Sequence, residues 1–172
     1  MIFVSGIHGV GKSHFCDLVR TRLHINAYQA SKLISECKNE TFSRDKKVSN
    51  IDSNQNDLIQ AVEKLNMLRQ PYLLDGHFCL QDKDGKITRI AKQVYRDLNP
   101  KAIIVLAEKP EIIVDRRKRR DGLDIGLEET ERFQKEEIKY SEEIALELNV
   151  PLYISTGVDT IDGAMEFINT YI

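Results

Sequence analysis

The eight residues Gly6-Ile7-His8-Gly9-Val10-Gly11-Lys12-Ser13 constrain this chain more than any other segment. They fit the pattern G-x-x-x-x-G-K-[ST] without a gap, directly after a short apolar run. Glycines in such a loop let backbone N–H groups turn inward around a phosphate, and the following helix points its positive end at the anion. The spacing therefore predicts a strand, a phosphate-binding loop and a helix, in that order.

The lysine and the serine carry the chemistry of this loop. We expect Lys12 to reach the β- and γ-phosphates of ATP and the Ser13 hydroxyl to bind Mg²⁺. The other residues predicted to contact ATP from the loop are Gly6, His8, Gly9, Val10, Gly11 and His14. The two histidines are either catalytic or sensing groups or ordinary variable loop positions, and the second interpretation is favoured.

Apolar runs alternate with helical patterns along the whole chain, which predicts an α/β fold. The runs are short and lack polar alternation, as is typical of a parallel sheet covered on both faces. The expected architecture is a three-layer P-loop NTPase sandwich with about five parallel strands, formed by residues 1–172 as a single domain. Residues 30–70 are expected to form an insertion on the acceptor side, and residues 116–127 a short lid.

A carboxylate, Asp75, ends the apolar run Tyr72-Leu73-Leu74. In a P-loop protein the carboxylate at the end of a neighbouring strand lies near Mg²⁺, so Asp75 is predicted to bind the metal and to be catalytic. The alternative is an aspartate that only forms the turn before Gly76. His77 follows two residues later and is expected to point into the same region.

Five consecutive basic residues, 116–120, follow the predicted strand 102–107. Gly122 and Gly126 allow a hinge, which favours a lid whose arginines neutralise charge during phosphoryl transfer. Arg116 and Arg120 are four apart and share a helix face, so they are predicted to be catalytic, and Arg119 is predicted to bind ATP. A nucleic-acid patch and a solvated helix face are the alternatives.

Charge, hydropathy and cysteine content limit the kinds of partner and the location that the sequence predicts. A net charge of -2 argues against extended nucleic-acid binding, and no apolar stretch approaches the length of a membrane span. The three cysteines, Cys16, Cys37 and Cys79, fit no zinc pattern and are expected to be free thiols. With no basic leader at the N-terminus, the expected location is the cytoplasm.

Three further segments carry short motifs that can be compared with those of known P-loop families. They are Leu74-Asp75-Gly76-His77, Leu98-Asn99-Pro100 with the apolar run after it, and Ala107-Glu108-Lys109-Pro110-Glu111 leading to Arg116-Arg117. With the opening strand and loop, these segments resemble the archaeal-type adenylate kinases and their eukaryotic nuclear relatives. The resemblance implies a P-loop nucleoside-monophosphate kinase that uses ATP and Mg²⁺. Gly76 stands where that family has threonine, and 122–126 replaces its later lid arginines.

Three functions are compatible with these residues. The first is phosphoryl transfer from ATP to a nucleoside monophosphate, with Arg44, Lys46, Lys47 and His77 as acceptor-side candidates. Such an acceptor needs positioning and charge neutralisation but no strong base. The second is a kinase of a hydroxyl-bearing small molecule such as a nucleoside, with Asp75 as base. The third is an ATPase switch or assembly factor that acts on a protein or RNA partner.

Overall fold

The computed structural model describes residues 1–38, 51–82, 85–122 and 125–172. Its seven strands are β1 Ile2–Ser5, β2 Asn26–Gln29, β3 Tyr72–Asp75, β4 Cys79–Gln81, β5 Ile87–Arg89, β6 Ala102–Ala107 and β7 Leu152–Thr156. The α-helices are α1 Lys12–Leu23, α2 Ala30–Lys38, α3 Ile51–Met67, α4 Lys92–Leu98, α5 Pro110–Asp121, α6 Leu127–Leu148 and α7 Ile161–Tyr171, with a 3-10 turn at Val158–Thr160.

Five of the strands form one parallel sheet in the order β2-β3-β1-β6-β7. β1 is central, and its Phe3 lies opposite Leu74 on one side and Ile103 on the other. Helices α1 and α7 pack together on one face, while α4 and α6 pack together on the other. This arrangement confirms the predicted three-layer sandwich. Because the strands are parallel, β1 and β3 both end at the edge of the sheet that carries the P-loop.

The structure departs from the predicted elements in three places. The sequence predicts that Ser31 caps a helix, but helix α2 begins at Ala30 and Ser31 lies inside it. The spacing of apolar residues predicts a helix from Asn54, but helix α3 begins three residues earlier, at Ile51. The sequence predicts only a turn at 82–85, but strands β4 and β5 form an antiparallel hairpin around it, because three-residue strands are too short to show a period. Residues 38–53 are predicted to form a polar loop or a short helical excursion; of these, 38 belongs to α2, 51–53 belong to α3, and 39–50 lie outside the described residues.

A buried carboxylate on α6 ties the centre of the sheet to the segment that follows β3. The side chain of Glu137 is 1% exposed and accepts hydrogen bonds from Ser5 Oγ at 2.5 Å, Phe78 N at 2.9 Å and Cys79 N at 2.6 Å. Burial raises the pKa of Glu137, against the opposing effect of the hydrogen bonds from Ser5 and Phe78. Since Ser5 immediately precedes the P-loop, Glu137 sets how the two segments lie relative to each other.

Among the described residues, no helix is both long enough and apolar enough to cross a membrane. The longest, α6, has 22 residues and carries acidic side chains along most of its length. Its buried residues follow one stripe that faces the sheet and α4. Helix α6 is therefore an amphipathic helix of the sandwich.

We predict that Glu137→Ala lowers the free energy of unfolding by about 3 kcal/mol or more, because it leaves several buried donors without an acceptor at about 1–3 kcal/mol each. Urea denaturation followed by circular dichroism measures this loss. As a control, Glu142→Ala removes an exposed carboxylate from the same helix and is expected to change stability by about 0.5 kcal/mol or less. Equal effects of the two substitutions would contradict the assigned role of Glu137.

Candidate active site

The backbone of the P-loop takes a conformation that favours glycine. Gly6, Gly9 and Gly11 have φ angles of 142°, 88° and 113°. A Cβ on Gly6 would lie 2.6 Å from the carbonyl oxygen of Leu106, so the loop also passes too close to β6 for any side chain. These glycines place the loop at the N-terminus of α1, where backbone N–H groups and the helix dipole favour an anion.

The ammonium group of Lys12 lies under this loop and is nearly buried, with the residue 8% exposed. Its Nζ donates to the carbonyl oxygen of Gly6 at 2.5 Å and lies 3.5 Å from that of Ile7. It also lies 3.5 Å from Nε2 of His77 and 4.0 Å from Oδ1 of Asp75. The lysine is thus the point where the P-loop and the end of β3 meet.

Asp75 reaches this position through strand pairing. It is the last residue of β3 and lies opposite Val4 of β1, and the N–H of Gly76 donates to the carbonyl oxygen of Val4 at 2.9 Å. Asp75 is 9% exposed, yet its carboxylate lines the cavity described below. Strand pairing therefore places the Asp75 carboxylate beside the phosphate loop, within 4.0 Å of Lys12 Nζ.

Oxygen donors for a divalent cation lie at the start of α1 and the end of β3. Ser13 is exposed and lines the same cavity as Asp75, and its Oγ accepts a hydrogen bond from Gln29 Nε2 at 3.4 Å. Among the described residues, no group of three histidines, cysteines or carboxylates could hold a metal alone. Mg²⁺ takes one or two protein oxygens together with substrate phosphates, so this donor set fits Mg²⁺ bound with a nucleotide.

The three histidines that line the cavity separate into two groups. His8 of the P-loop and His77 lie together, with ring centroids 4.4 Å apart and planes tilted by 56°. The backbone of His77 is held in place, because the Tyr95 hydroxyl donates to its carbonyl oxygen at 2.7 Å. His14 is exposed on α1 and also lines the cavity. The structure thus brings His8 and His77, but not His14, into contact with each other across the site.

The glycine at position 76 has a steric reason. A Cβ on Gly76 would lie 2.6 Å from Cζ and 2.8 Å from Cε2 of Phe3. The Phe3 ring, on the adjacent strand β1, therefore occupies the space of a side chain at position 76. Sequence reasoning did not find this pair, because neighbours in a parallel sheet are far apart along the chain.

One arginine of the basic cluster on α5 is hydrogen-bonded to the P-loop. Nη1 of Arg116 donates to the carbonyl oxygen of Val10 at 3.0 Å, and Nη2 lies 3.4 Å from Glu108 Oε2. Arg119 pairs with Asp115, and Arg120 pairs with its neighbour along the chain at 2.7 Å. All three arginines line the cavity, while Arg119 and Arg120 remain largely exposed.

Arg117 is a further residue that the sequence did not single out. A Cβ on Gly9 would lie 2.6 Å from Cγ of Arg117, so the arginine stem packs on the P-loop. Burial lowers the pKa of Arg117, opposed by the charge of Asp121. Together with the bond from Arg116, this contact fixes α5 against the loop. The clue in the sequence was the pair of adjacent arginines, of which only one was assigned a role.

A cavity of about 1290 Å³ joins these groups. One half is formed by the P-loop, the end of β6, α5 and the segment after β7. The other half is formed by α2, α3, α4 and the segment after β3. Ligand pockets usually have about 300–1,000 Å³, so the volume is sufficient for two ligands. Lys12 and Asp75 lie where the two halves meet.

Arg44, Lys46 and Lys47, the predicted phosphate binders, lie outside the described residues.

Neither of the described cysteines is a reactive group. Cys16 and Cys79 are free and buried, and burial raises the pKa of Cys16 to about 12 and that of Cys79 further still. A thiol with so high a pKa holds its proton at neutral pH and is a poor nucleophile. Cys37, the third predicted free thiol, has a side chain outside the described part of the chain.

Solved structures with the same fold include three kinases. A shikimate kinase from Acinetobacter baumannii has a TM-score of 0.58 and 15% sequence identity, and the match covers 98% of this chain and 90% of that one. A gluconokinase from Sinorhizobium meliloti has a TM-score of 0.54 and 11% identity, with 97% of this chain and 87% of that one covered. A sugar kinase from Janibacter sp. has a TM-score of 0.54 and 12% identity, with 99% of this chain and 92% of that one covered. At these identities the likeness shows the fold alone.

Curated proteins gave no sequence match to the chain. A protein-family model described as an AAA domain, in contrast, matches residues 5–134. The match begins at the residue before the P-loop and extends through β3, the basic cluster of α5 and the first third of α6. Since it covers most of the 172 residues, the chain belongs to this AAA-domain family and has a three-layer α/β P-loop NTPase fold.

Proposed function

We propose that the protein transfers the γ-phosphoryl group of ATP to a small-molecule acceptor. One observation carries the proposal: the ammonium of Lys12 and the carboxylate of Asp75 lie 4.0 Å apart, at the junction of the two halves of one cavity. A cation for the donor phosphates next to a carboxylate at the junction is the arrangement that phosphoryl transfer needs, since this reaction depends on positioning and charge neutralisation.

On the nucleotide side, the N–H groups of the P-loop would surround the phosphates and Lys12 would leave the Gly6 carbonyl to bind them. Ser13 and Asp75 would hold Mg²⁺, which neutralises phosphate charge when bound. Arg116 is already placed beside the loop, bonded to the Val10 carbonyl oxygen. Arg119 and Arg120 would reach the nucleotide from residues 116–127, acting as a short lid that excludes water.

A nucleoside monophosphate is the first acceptor we propose. Its phosphate is already a nucleophile at neutral pH, so positioning by His77 and by the basic residues Arg44, Lys46 and Lys47 would be sufficient. Support comes from the resemblance to adenylate kinases and from a cavity large enough for two nucleotides. The insertion 30–70 would then supply the acceptor side, within one domain of residues 1–172.

A hydroxyl-bearing acceptor is the second candidate, and the position of Asp75 favours it. A nearly buried carboxylate beside the transfer point is placed to accept the proton of an attacking hydroxyl. The three structural neighbours are named as kinases of shikimate, gluconate and a sugar, all hydroxyl-bearing molecules. In either case the phosphoryl bond to ADP breaks as the bond to the acceptor oxygen forms.

We predict that Lys12→Ala lowers acceptor-dependent transfer by about 100-fold or more, since the β- and γ-phosphates lose their cation. The measurement is chromatographic: ATP·Mg²⁺ with a panel of monophosphates, nucleosides and sugars, following ADP and phosphorylated acceptor. Lys139→Ala is the control, because Lys139 is exposed on α6 and does not line the cavity. Undiminished transfer by Lys12→Ala would remove the P-loop from the reaction.

The same assay separates the kinase from the ATPase switch. A kinase forms ADP and phosphorylated acceptor in equal amounts, and only when the acceptor is present. Slow formation of ADP and inorganic phosphate, without a phosphorylated acceptor, would contradict the proposed transfer and favour a switch that acts on a protein or RNA partner.

We predict that Arg120→Ala lowers kcat by roughly tenfold or more while the Kd for ATP changes less than about threefold, because a lid arginine contributes mainly in the transition state. Steady-state kinetics and equilibrium binding measure the two quantities. Lys118→Ala serves as control, since Lys118 is exposed on the same helix and does not line the cavity. An unchanged kcat for Arg120→Ala would exclude Arg120 from catalysis.

A further inference from the structure

Glu108 is a carboxylate on the nucleotide side of the cavity to which the proposed reaction assigns no role. It directly follows β6, is 9% exposed and lines the cavity together with the P-loop. A negative charge buried beside the proposed place of the ATP phosphates is unfavourable unless cations and N–H donors surround it. The contacts of Glu108 therefore indicate what function this charge serves.

The backbone of Glu108 is held by one side chain of α6. The N–H of Glu108 donates to Oε1 of Gln134 at 3.0 Å, and Nε2 of Gln134 donates to the carbonyl oxygen of Glu108 at 2.8 Å. A single carboxamide thus binds both backbone polar groups of this residue. Because the two bonds act together, position 108 has a defined place between the sheet and α6.

The two carboxylate oxygens of Glu108 accept from two different donors. Oε1 accepts the backbone N–H of Lys109 at 2.9 Å, and Oε2 accepts from Nη2 of Arg116 at 3.4 Å. A carboxylate accepts at both oxygens, whereas a carboxamide has one acceptor oxygen and one donating nitrogen. Glutamine, although it has the same length, therefore cannot accept both bonds.

Arg116 is in turn placed against the P-loop. Its Nη1 donates to the carbonyl oxygen of Val10 at 3.0 Å and lies 3.7 Å from the position that a Cβ on Gly11 would take. Within the described residues, the bonds to Val10 and Glu108 use two of the five N–H donors of the guanidinium. The side chain of Arg116 is 43% exposed, so its other donors are accessible to a phosphate at the start of α1.

We propose that Glu108 is a positioning residue, which fixes the guanidinium of Arg116 beside the P-loop for the γ-phosphoryl group of ATP. The inference rests on the proposed transfer reaction and adds to it a carboxylate that acts through Arg116. An arginine side chain loses much rotamer freedom when it is held in one conformation. Because Glu108 restricts Arg116 before the nucleotide binds, this loss does not add to the barrier of the transfer step.

The substitution Glu108→Gln tests this role with little change of shape. We expect kcat to fall roughly tenfold or more, because a misplaced catalytic group lowers the rate by up to about 100-fold. The Kd for a non-hydrolysable ATP analogue with Mg²⁺ is expected to stay unchanged or to fall by up to about threefold, since the variant removes a negative charge near the phosphates. Steady-state rates of ADP formation and isothermal titration calorimetry measure the two quantities.

The split between kcat and Kd distinguishes positioning from a structural contact. If Glu108 only attached α5 to the P-loop, the variant would bind the analogue more weakly in proportion to its loss of kcat, and this result would overturn the proposal, as would an undiminished kcat. Glu111→Gln is the matched control, because Glu111 is an exposed carboxylate in the first turn of α5 and does not line the cavity. Its kcat is expected to match that of the wild-type chain.

A double-mutant cycle shows whether Glu108 acts through Arg116. We expect Arg116→Ala to lower kcat about tenfold or more, since a cation is lost from the transition state. Adding Glu108→Gln to Arg116→Ala is expected to lower kcat by less than about twofold further, because the group that Glu108 positions is already absent. Independent effects would instead multiply to roughly 100-fold or more, which would overturn the proposal.

The role of Glu108 and the transfer reaction can fail separately. Formation of ADP and inorganic phosphate without a phosphorylated acceptor would contradict the transfer, but the cycle uses the rate of ADP formation and still tests Glu108. Phosphorylation of an acceptor at an unchanged kcat by Glu108→Gln would support the transfer and overturn the role of Glu108. Circular dichroism identifies a variant that fails to fold, and Glu108→Ala, for which the same changes are expected, then decides.

Discussion

The carboxylate of Glu137 is the contact on which the geometry of the site depends. It receives the Ser5 hydroxyl from the residue before the P-loop and two backbone N–H groups from the segment after His77. Strand pairing brings β1 and β3 together, but it does not orient the chain beyond their ends. Glu137 does so from a third element, α6, and its low exposure makes the interaction costly to leave incomplete.

The positions of the charged groups depend on the two segments that Glu137 holds together. The ammonium of Lys12 donates to the Gly6 carbonyl oxygen and lies within 4.0 Å of Asp75. It therefore already lies beside the proposed phosphate position. Arg116 and the stem of Arg117 hold α5 against the P-loop. Helices α2 and α3 enclose the other half of the cavity. Preorganised charge of this kind lowers the cost of reorganisation during transfer.

The sequence predicted the parts of the site that local patterns encode. The glycine spacing and Lys12-Ser13 specify the P-loop, and Asp75 follows an apolar strand, so both lie where they were predicted. Glu137 was missed because its donors are more than fifty residues away, although a glutamate on the apolar stripe of α6 was a signal. The contact of Phe3 with Gly76 was missed for the same reason, since it depends on which strands are neighbours.

The proposed reaction is transfer of the γ-phosphoryl group from ATP to an acceptor across the junction of the two half-cavities. ATP labelled with ¹⁸O at all γ-phosphoryl oxygens tests it most directly, in ordinary water with the acceptor present. Mass spectrometry of the products follows the label. Direct transfer predicts that the phosphorylated acceptor retains the three labelled non-bridging oxygens and that inorganic phosphate stays unlabelled. Label found only in inorganic phosphate, with no labelled acceptor, would contradict the account.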